Sequence, residues 1–246
     1  MYKGTFVKPM EKKVQLIDCG RISFSDAWEW QSRLSAEKNT AKIFNRNHPG
    51  QAMPIGHHLL FCEHDSVYTL GKSGSEENLL LSLGELGKSG IDFFKINRGG
   101  DITYHGPGQL TGYPILDLED FFTDIHKYMR YLEEVIIRVC ARFGLNAGRI
   151  KGLTGVWVDW ETPEKARKIC ALGVHMSRWI TLHGFGLNVS TDLAFFSHII
   201  PCGITDKGVT SLSSELGRTV SMEEAKVHVK TCFSEVFGVE LVDSAG

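Results

Sequence analysis

No apolar run in this 246-residue chain approaches the roughly 20 residues that cross a bilayer, so no membrane association is expected. The opening residues, MYKGTFVKPMEKK, are polar and lack the hydrophobic stretch of a secretory signal, which points to the cytoplasm. Cysteine is scattered: residues 19, 62, 140, 170, 202 and 232 form no C-x-x-C pair and no metal-ligand rhythm. Reduced thiols and no metal follow as expectations. Neither sign of charge dominates, and a net charge of −2 gives no electrostatic reason to expect nucleic acid. The small basic groups, Arg149 with Lys151 and Lys165 with Arg167 and Lys168, read as solvated faces. A Walker phosphate loop and a dinucleotide glycine fingerprint are both missing, so no nucleotide cofactor is expected. Repeats, low-complexity tracts and Pro/Gly/Ser-rich linkers are absent too, so residues 1–246 read as one catalytic domain, with a polar N-terminal extension over about residues 1–13.

What is present is a mixed order of strands and helices. Val14 to Cys19, Leu59 to Glu63 and Ser66 to Leu70 read as short strands. A helix is expected over about Asp26 to Lys38, capped by Ser25 or Ser23, and residues 45–56 read as a polar loop. A longer amphipathic helix carries Ile125, Met129, Leu132, Val135, Ile136, Val139 and Phe143 at helical spacing, with Gly144 as its stop. Three strands follow, Leu153 to Trp160, Lys168 to Ser177 and Ile180 to Val189, the first two joined as a hairpin through ETPEKAR. The last helix starts at Ser221 and Glu224, which have capping-box spacing, and ends at Gly238. Helices are segregated from runs of strands rather than alternating with them, so the fold class is α+β, with flanking helices on a mixed or largely antiparallel sheet.

The densest chemical signal is Arg98-Gly99-Gly100-Asp101-Ile102-Thr103-Tyr104-His105-Gly106-Pro107-Gly108-Gln109, in which five of twelve residues are Gly or Pro. Such a segment lets backbone N–H groups approach a ligand while Arg, Thr, Tyr, His and Gln orient it. Bulk at Gly100 is expected to block a ligand without touching the core. His183-Gly184-Phe185-Gly186 repeats the theme, although a lone G-x-G can also mark a bulge. In Ile200-Pro201-Cys202-Gly203, the proline stiffens the chain and the glycine leaves the thiol uncrowded, as a nucleophile needs. A thiol with an ordinary pKa of about 8.5 is mostly protonated near neutrality and requires a nearby cation. Strand alternation places Lys168, Cys170 and Leu172 on one side. Lys168 then reads either as a strand-start lysine in water or as a partly buried amine that exchanges protons. Cys170 is the rival nucleophile, and mid-strand it reads more readily as a small core residue.

Taken in order, R-G-G-D-I-T-Y-H-G-P-G-Q, K-I-C-A-L-G, H-G-F-G-L-N-V and P-C-G-I closely resemble the lipoyl(octanoyl) transferase family of protein lipoylation, over about residues 55 to 215. The resemblance implies the catalytic-domain fold of the biotin and lipoate ligases. It implies that octanoyl passes from acyl carrier protein to a lysine on lipoyl domains of 2-oxoacid dehydrogenases and the glycine cleavage H protein. Matched position by position, Cys202 is the acyl-accepting nucleophile and Lys168 the lysine that lowers its pKa. The implied substrate pocket is Arg98, Gly99, Gly100, Asp101, Ile102, Thr103, Tyr104 and His105, with Ala171, Leu172 and Gly173, and with Gly184, Phe185 and Gly186. Ala171 stands where many relatives carry serine, which removes a hydroxyl contact.

The implied mechanism is two transfers. The thiolate exchanges one thioester for another, and the acceptor lysine then converts the acyl-enzyme to an amide. The donor is already activated, so no ATP and no cofactor are expected. An ATP-dependent lipoate-protein ligase on the same fold is the nearest alternative; a non-catalytic module that binds acyl groups or lipoyl domains is the other.

Overall fold

The computed structural model describes residues 12–200 and 207–243. Strand β1 (Lys12–Arg21) leads into helix α1 (Phe24–Asn47), then β2 (His57–Glu63) and β3 (Val67–Leu70). A short helix α2 (Leu83–Lys88) precedes β4 (Asp92–Lys95), β5 (Ile102–His105) and β6 (Gln109–Ile115). Helix α3 (Ile125–Arg142) is followed by β7 (Ala147–Gly148), β8 (Val156–Val158), β9 (Arg167–Ser177) and β10 (Ile180–Asn188). Beyond the undescribed stretch come β11 (Gly208–Val209), α4 (Leu212–Leu216), α5 (Met222–Phe237) and β12 (Val239–Asp243).

The large sheet runs β12-β1-β2-β6-β10-β9-β8-β7, with β11 beside β9; a small sheet runs β4-β3-β5. Pairing is antiparallel from β2 through β7 and parallel at β12-β1-β2 and β11-β9, as expected of a mixed, largely antiparallel sheet. Both faces of the large sheet are covered, which explains the unbroken apolar run Leu59-Leu60-Phe61-Cys62 in β2. Leu59 and Phe61 join Leu110, Leu187 and the α3 and α5 side chains in the main core, while Leu60 and Cys62 turn the other way toward Ala27 and Leu34 of α1.

Helix α1 begins where Ser23 accepts from the Asp26 N–H, but it runs nine residues past the expected Lys38. Lys42, on that added stretch, pairs with Asp117 at 2.7 Å, and Pro49 is the first residue that cannot continue the helix. Ser221 caps α5 as its spacing suggests, yet the reciprocal half of a capping box is not made, because Glu224 pairs with Arg218 at 2.8 Å. The strand expected over 153–160 is confined to Val156–Val158, since Gly155 sits at φ +130°. The polar stretch expected as an N-terminal extension lies outside the described residues up to residue 11, and Lys12 and Lys13 already belong to β1.

Candidate active site

A cavity of about 380 Å³ opens between the large sheet and the small one. Its floor is the β9–β10 pair, where Gly184 faces Gly173 and Gly186 faces Ala171. Its cover is the 98–101 loop that joins β4 to β5. The two approach so closely that a Cβ on Gly173 would lie 2.9 Å from the Gly99 carbonyl oxygen and 3.0 Å from Arg98 Cδ. Hydrogen bonds hold the cover in place: Gly99 N–H donates to the Val174 carbonyl at 2.9 Å, and Arg98 Nη2 donates to the carbonyl and hydroxyl oxygens of Thr69. Asp101 accepts from its own neighbour Ile102 N–H and from Asn78, so its carboxylate braces the loop.

Every pocket residue named from the sequence reaches the cavity wall except Tyr104. Alternation along β5 turns Thr103 and His105 to the cavity, while Ile102 and Tyr104 enter the core of the small sheet. There the Tyr104 ring stacks on Phe195 at 4.8 Å and its hydroxyl meets Ser66 at 3.0 Å. Phe185 touches the wall with its ring packed in the main core.

His105 is buried, and its tautomer is fixed by a chain of amides. Gln109 Nε2 donates to the Tyr104 carbonyl and to Asn188 Oδ1, while Asn188 Nδ2 donates to the Thr210 carbonyl. That leaves Gln109 Oε1 to accept from His105 Nδ1 at 2.7 Å, and His105 Nε2 keeps its lone pair. Burial, with His64 beside it, holds the imidazole neutral with a pKa of about 3. Gln109, Asn188, Tyr113 and His183 also line the cavity. Of these, Gln109, His183 and Asn188 stood inside quoted motifs, whereas Tyr113 stood in none.

Lys168 lines the cavity as well, its Nζ 4.7 Å from the centroid of the Trp157 ring. Cys170 does not share that face. Val156 pairs with Cys170 while Trp157 pairs with Lys168, so Ile169 is an extra residue on β9. This bulge resets the alternation and sends both Ile169 and Cys170 into the main core. Burial there, together with Cys140 and Glu133, pushes the Cys170 thiol well above its ordinary range, which disfavours the thiolate that a nucleophile needs. Cys202 lies outside the described residues; Lys207, Gly208 and Val209, a few positions further along the chain, line the cavity beside Lys168. The basic residues read as solvated faces are partly engaged: Arg149 contacts Glu133 and Glu134, and Arg167 contacts Asp159 and Glu215. Among the described residues, no group of three or more His, Cys, Asp or Glu could hold a metal ion, and no helix is long and apolar enough to cross a membrane.

A large mixed sheet with a small sheet folded over its glycine-rich strands is the architecture of the lipoate ligases. A bipartite lipoate protein ligase from Thermoplasma acidophilum superposes with a TM-score of 0.68 at 19% identity, over 95% of this chain and 87% of that one. Lipoate-protein ligase A bound with ATP gives 0.64 at 21%, over 96% and 89%. Sequence similarity narrows the class. The family profile described as Lipoyl protein ligase A/B catalytic domain matches residues 28–234. An octanoyltransferase from Cytophaga hutchinsonii is 51% identical over 98% of this chain and 97% of its own length. One from Flavobacterium johnsoniae is 54% identical over 95% of this chain and 100% of its own. The chain therefore belongs to the octanoyltransferases of the lipoyl protein ligase A/B family.

Proposed function

We propose that this protein is an octanoyltransferase of protein lipoylation that works through an acyl-enzyme on Cys202, with Lys168 as its proton-transfer partner. The observation that carries the reading is the cavity itself. Lys168 and Lys207 stand at one part of it, and Lys207 follows Cys202 by five positions. A thioester donor needs no adenylate, only a nucleophile and a channel for the chain. Each buried methylene contributes roughly 0.8 kcal/mol, so an octanoyl tail gains several kcal/mol from a matched channel.

In the first step the Cys202 thiolate attacks the donor carbonyl, the carrier thiol leaves, and Lys168 takes up and returns the proton. In the second, the acceptor lysine attacks the Cys202 thioester, gives up a proton and releases the thiol. Backbone N–H groups near Leu172 and Cys202 are the candidate oxyanion donors. The substrate wall is proposed as Arg98 to His105, Ala171 to Gly173 and Gly184 to Gly186. Asp101 and Tyr104 serve it by shaping the loop and strand behind it.

A soluble acyl donor and a lipoyl-domain acceptor fit this chemistry. The particular partners we propose are octanoyl-acyl carrier protein and the lipoyl domains of 2-oxoacid dehydrogenases and the glycine cleavage H protein, met in the cytoplasm. Residues 1–246 are proposed to act as one catalytic unit, because both sheets contribute to one cavity. The test is octanoylation of a purified lipoyl domain from octanoyl-acyl carrier protein without ATP. Transfer under those conditions supports the reading; transfer only from free octanoate with ATP would make the chain a ligase, and binding without transfer a non-catalytic module.

A further inference from the structure

Asn78 bonds two parts of the molecule that the proposed chemistry needs side by side. Its Nδ2 donates to Asp101 Oδ2, in the loop that covers the cavity. Its backbone carbonyl accepts from the Ile200 N–H at 2.9 Å. Ile200 stands two positions before Cys202 in the sequence.

Both ends of this link are anchored. On the cover side, the N–H groups of Gly71, Lys72 and Ser73 donate to the carbonyls of Asp101, Arg98 and Gly100, so the chain leaving β3 runs along the loop. Asp101 is 9% exposed, and its other oxygen accepts from the Ile102 N–H at 2.7 Å, which fixes the carboxylate. On the far side, residues 78–80 run against residues 198–200. Leu79 forms an antiparallel bridge with Ile199, and the Leu80 N–H donates to the His198 carbonyl at 2.8 Å. Ile199 is buried with Tyr68 and Ile102 of the small sheet, and the Tyr68 hydroxyl donates to the Phe195 carbonyl at 2.7 Å. The chain beyond the undescribed stretch is tied elsewhere, for the Thr210 N–H donates to the Lys168 carbonyl at 2.9 Å.

Local structure does not account for the amide at position 78. It ends a single turn, Glu76–Asn78, which Ser75 caps and the Leu79 N–H closes onto the Glu76 carbonyl. A hydrogen bond from an amide to a carboxylate is stronger than one between neutral groups, so the Asp101 contact is the specific feature of this side chain. Asn78 is not part of the cavity wall.

We propose that Asn78 is a positioning residue, which sets the chain leading to Cys202 in register with the cover of the cavity. An acyl thioester lying in the cavity is thereby brought to the nucleophile. This rests on the acyl-transfer reading above. Such registration acts on rate rather than on binding, because a misplacement on the order of 1 Å can cost about a hundredfold.

The experiment follows acyl-enzyme formation from octanoyl-acyl carrier protein in single turnovers, by intact mass, over a range of donor concentrations. The pH profile of Cys202 alkylation by iodoacetamide and a melting curve are read beside it. Asn78→Ala should lower the maximal rate about tenfold, with the half-saturating donor concentration little changed. Its alkylation profile should match the wild type, since the thiol keeps its cation. Asn78→Asp sets two carboxylates against each other and should be slower still. Adding Asp101→Asn to Asn78→Asp exchanges donor and acceptor: the new amide donates to the new carboxylate and still accepts from the Ile102 N–H. Most of the lost rate should return, which a merely structural role for Asn78 would not produce. If Asn78→Ala melts well below the wild type, the exchanged pair decides. Wild-type acylation in Asn78→Ala, a shifted alkylation profile in it, or an exchanged pair as slow as Asn78→Asp would overturn this inference alone. A wild type that forms no acyl-enzyme would overturn the acyl-transfer reading and this inference with it.

Discussion

Lys168 Nζ lies over the Trp157 ring, 4.7 Å from its centroid, on the cavity side of a bulge that sends Cys170 the other way. The two residues come from adjacent strands, β9 and β8, so the lysine is presented by sheet geometry rather than by a loop. If this cation favours the Cys202 thiolate, Lys168→Ala should move the pH profile of Cys202 alkylation upward, because a nearby positive charge stabilises the ionised thiol. Trp157→Leu should move it in the same direction by less. The check is the iodoacetamide rate against pH, followed by mass spectrometry of the Cys202 peptide. An unchanged profile in Lys168→Ala removes the lysine from that role.

The two glycines of the cover respond differently to bulk. Sequence alone suggests that Gly100→Val would fill the cavity and leave stability intact. The structure differs, for Gly100 sits at φ +85°, where a valine is strained. That strain costs about 1–3 kcal/mol, so melting should fall by several degrees. Gly99 is the cleaner probe: a Cβ there meets only the Val174 carbonyl oxygen, at 3.5 Å. Gly99→Ala should melt like the wild type, and differential scanning fluorimetry of both variants tests the contrast.

Glu133 ties the cavity's 152–154 edge to α3. It is 1% exposed and accepts from Gly155 N–H while pairing with Arg130 at 2.6 Å and Arg149 at 2.9 Å. Glu133→Ala leaves those donors unmatched and should destabilise the fold by roughly 2–4 kcal/mol. Glu133→Gln, which keeps an acceptor, should cost less. Urea midpoints at constant m-value make the comparison.

Stability should fall in mild acid. His105 and His183 hold pKa values of about 3 against an ordinary 6.5, because burial penalises the charged ring. As pH drops below 6.5 the unfolded chain takes up protons that the folded chain refuses. Stability is therefore complete above the unfolded value and is lost as pH falls toward the folded one. Each ring contributes on the order of 1.4 kcal/mol per pH unit in that window. Denaturant midpoints taken from 6.5 to about pH 5, above most carboxylate titration, should decline in the wild type and decline less in His183→Asn.

Much of the fold was legible because its signals are periodic. Leu132, Val135, Ile136 and Val139 mark one face of α3, and all four enter the main core. Gly238, read as a stop, ends α5 in the left-handed conformation. Short or irregular pieces gave no such signal: β12, the six-residue α2, and the turn that brings Phe195 onto Tyr104 depend on partners far along the chain. The site shows the same division. The glycine motifs announced a ligand wall, since close approach of backbone is written in composition. The facing of Lys168 against Cys170 was not readable, because one extra residue at Ile169 inverts the alternation without any change of residue type. Gln31 was hidden for a related reason: a glutamine looks like surface until the helix is seen to bury it beside His183.

The central claim is that the acyl group passes through Cys202, and intact mass after incubation with octanoyl-acyl carrier protein tests it most directly. The account predicts one octanoyl adduct on the wild type, sensitive to hydroxylamine, present in Cys170→Ala and absent in Cys202→Ser. A hydroxylamine-sensitive adduct that persists in Cys202→Ser, or that maps to Cys170, would contradict it.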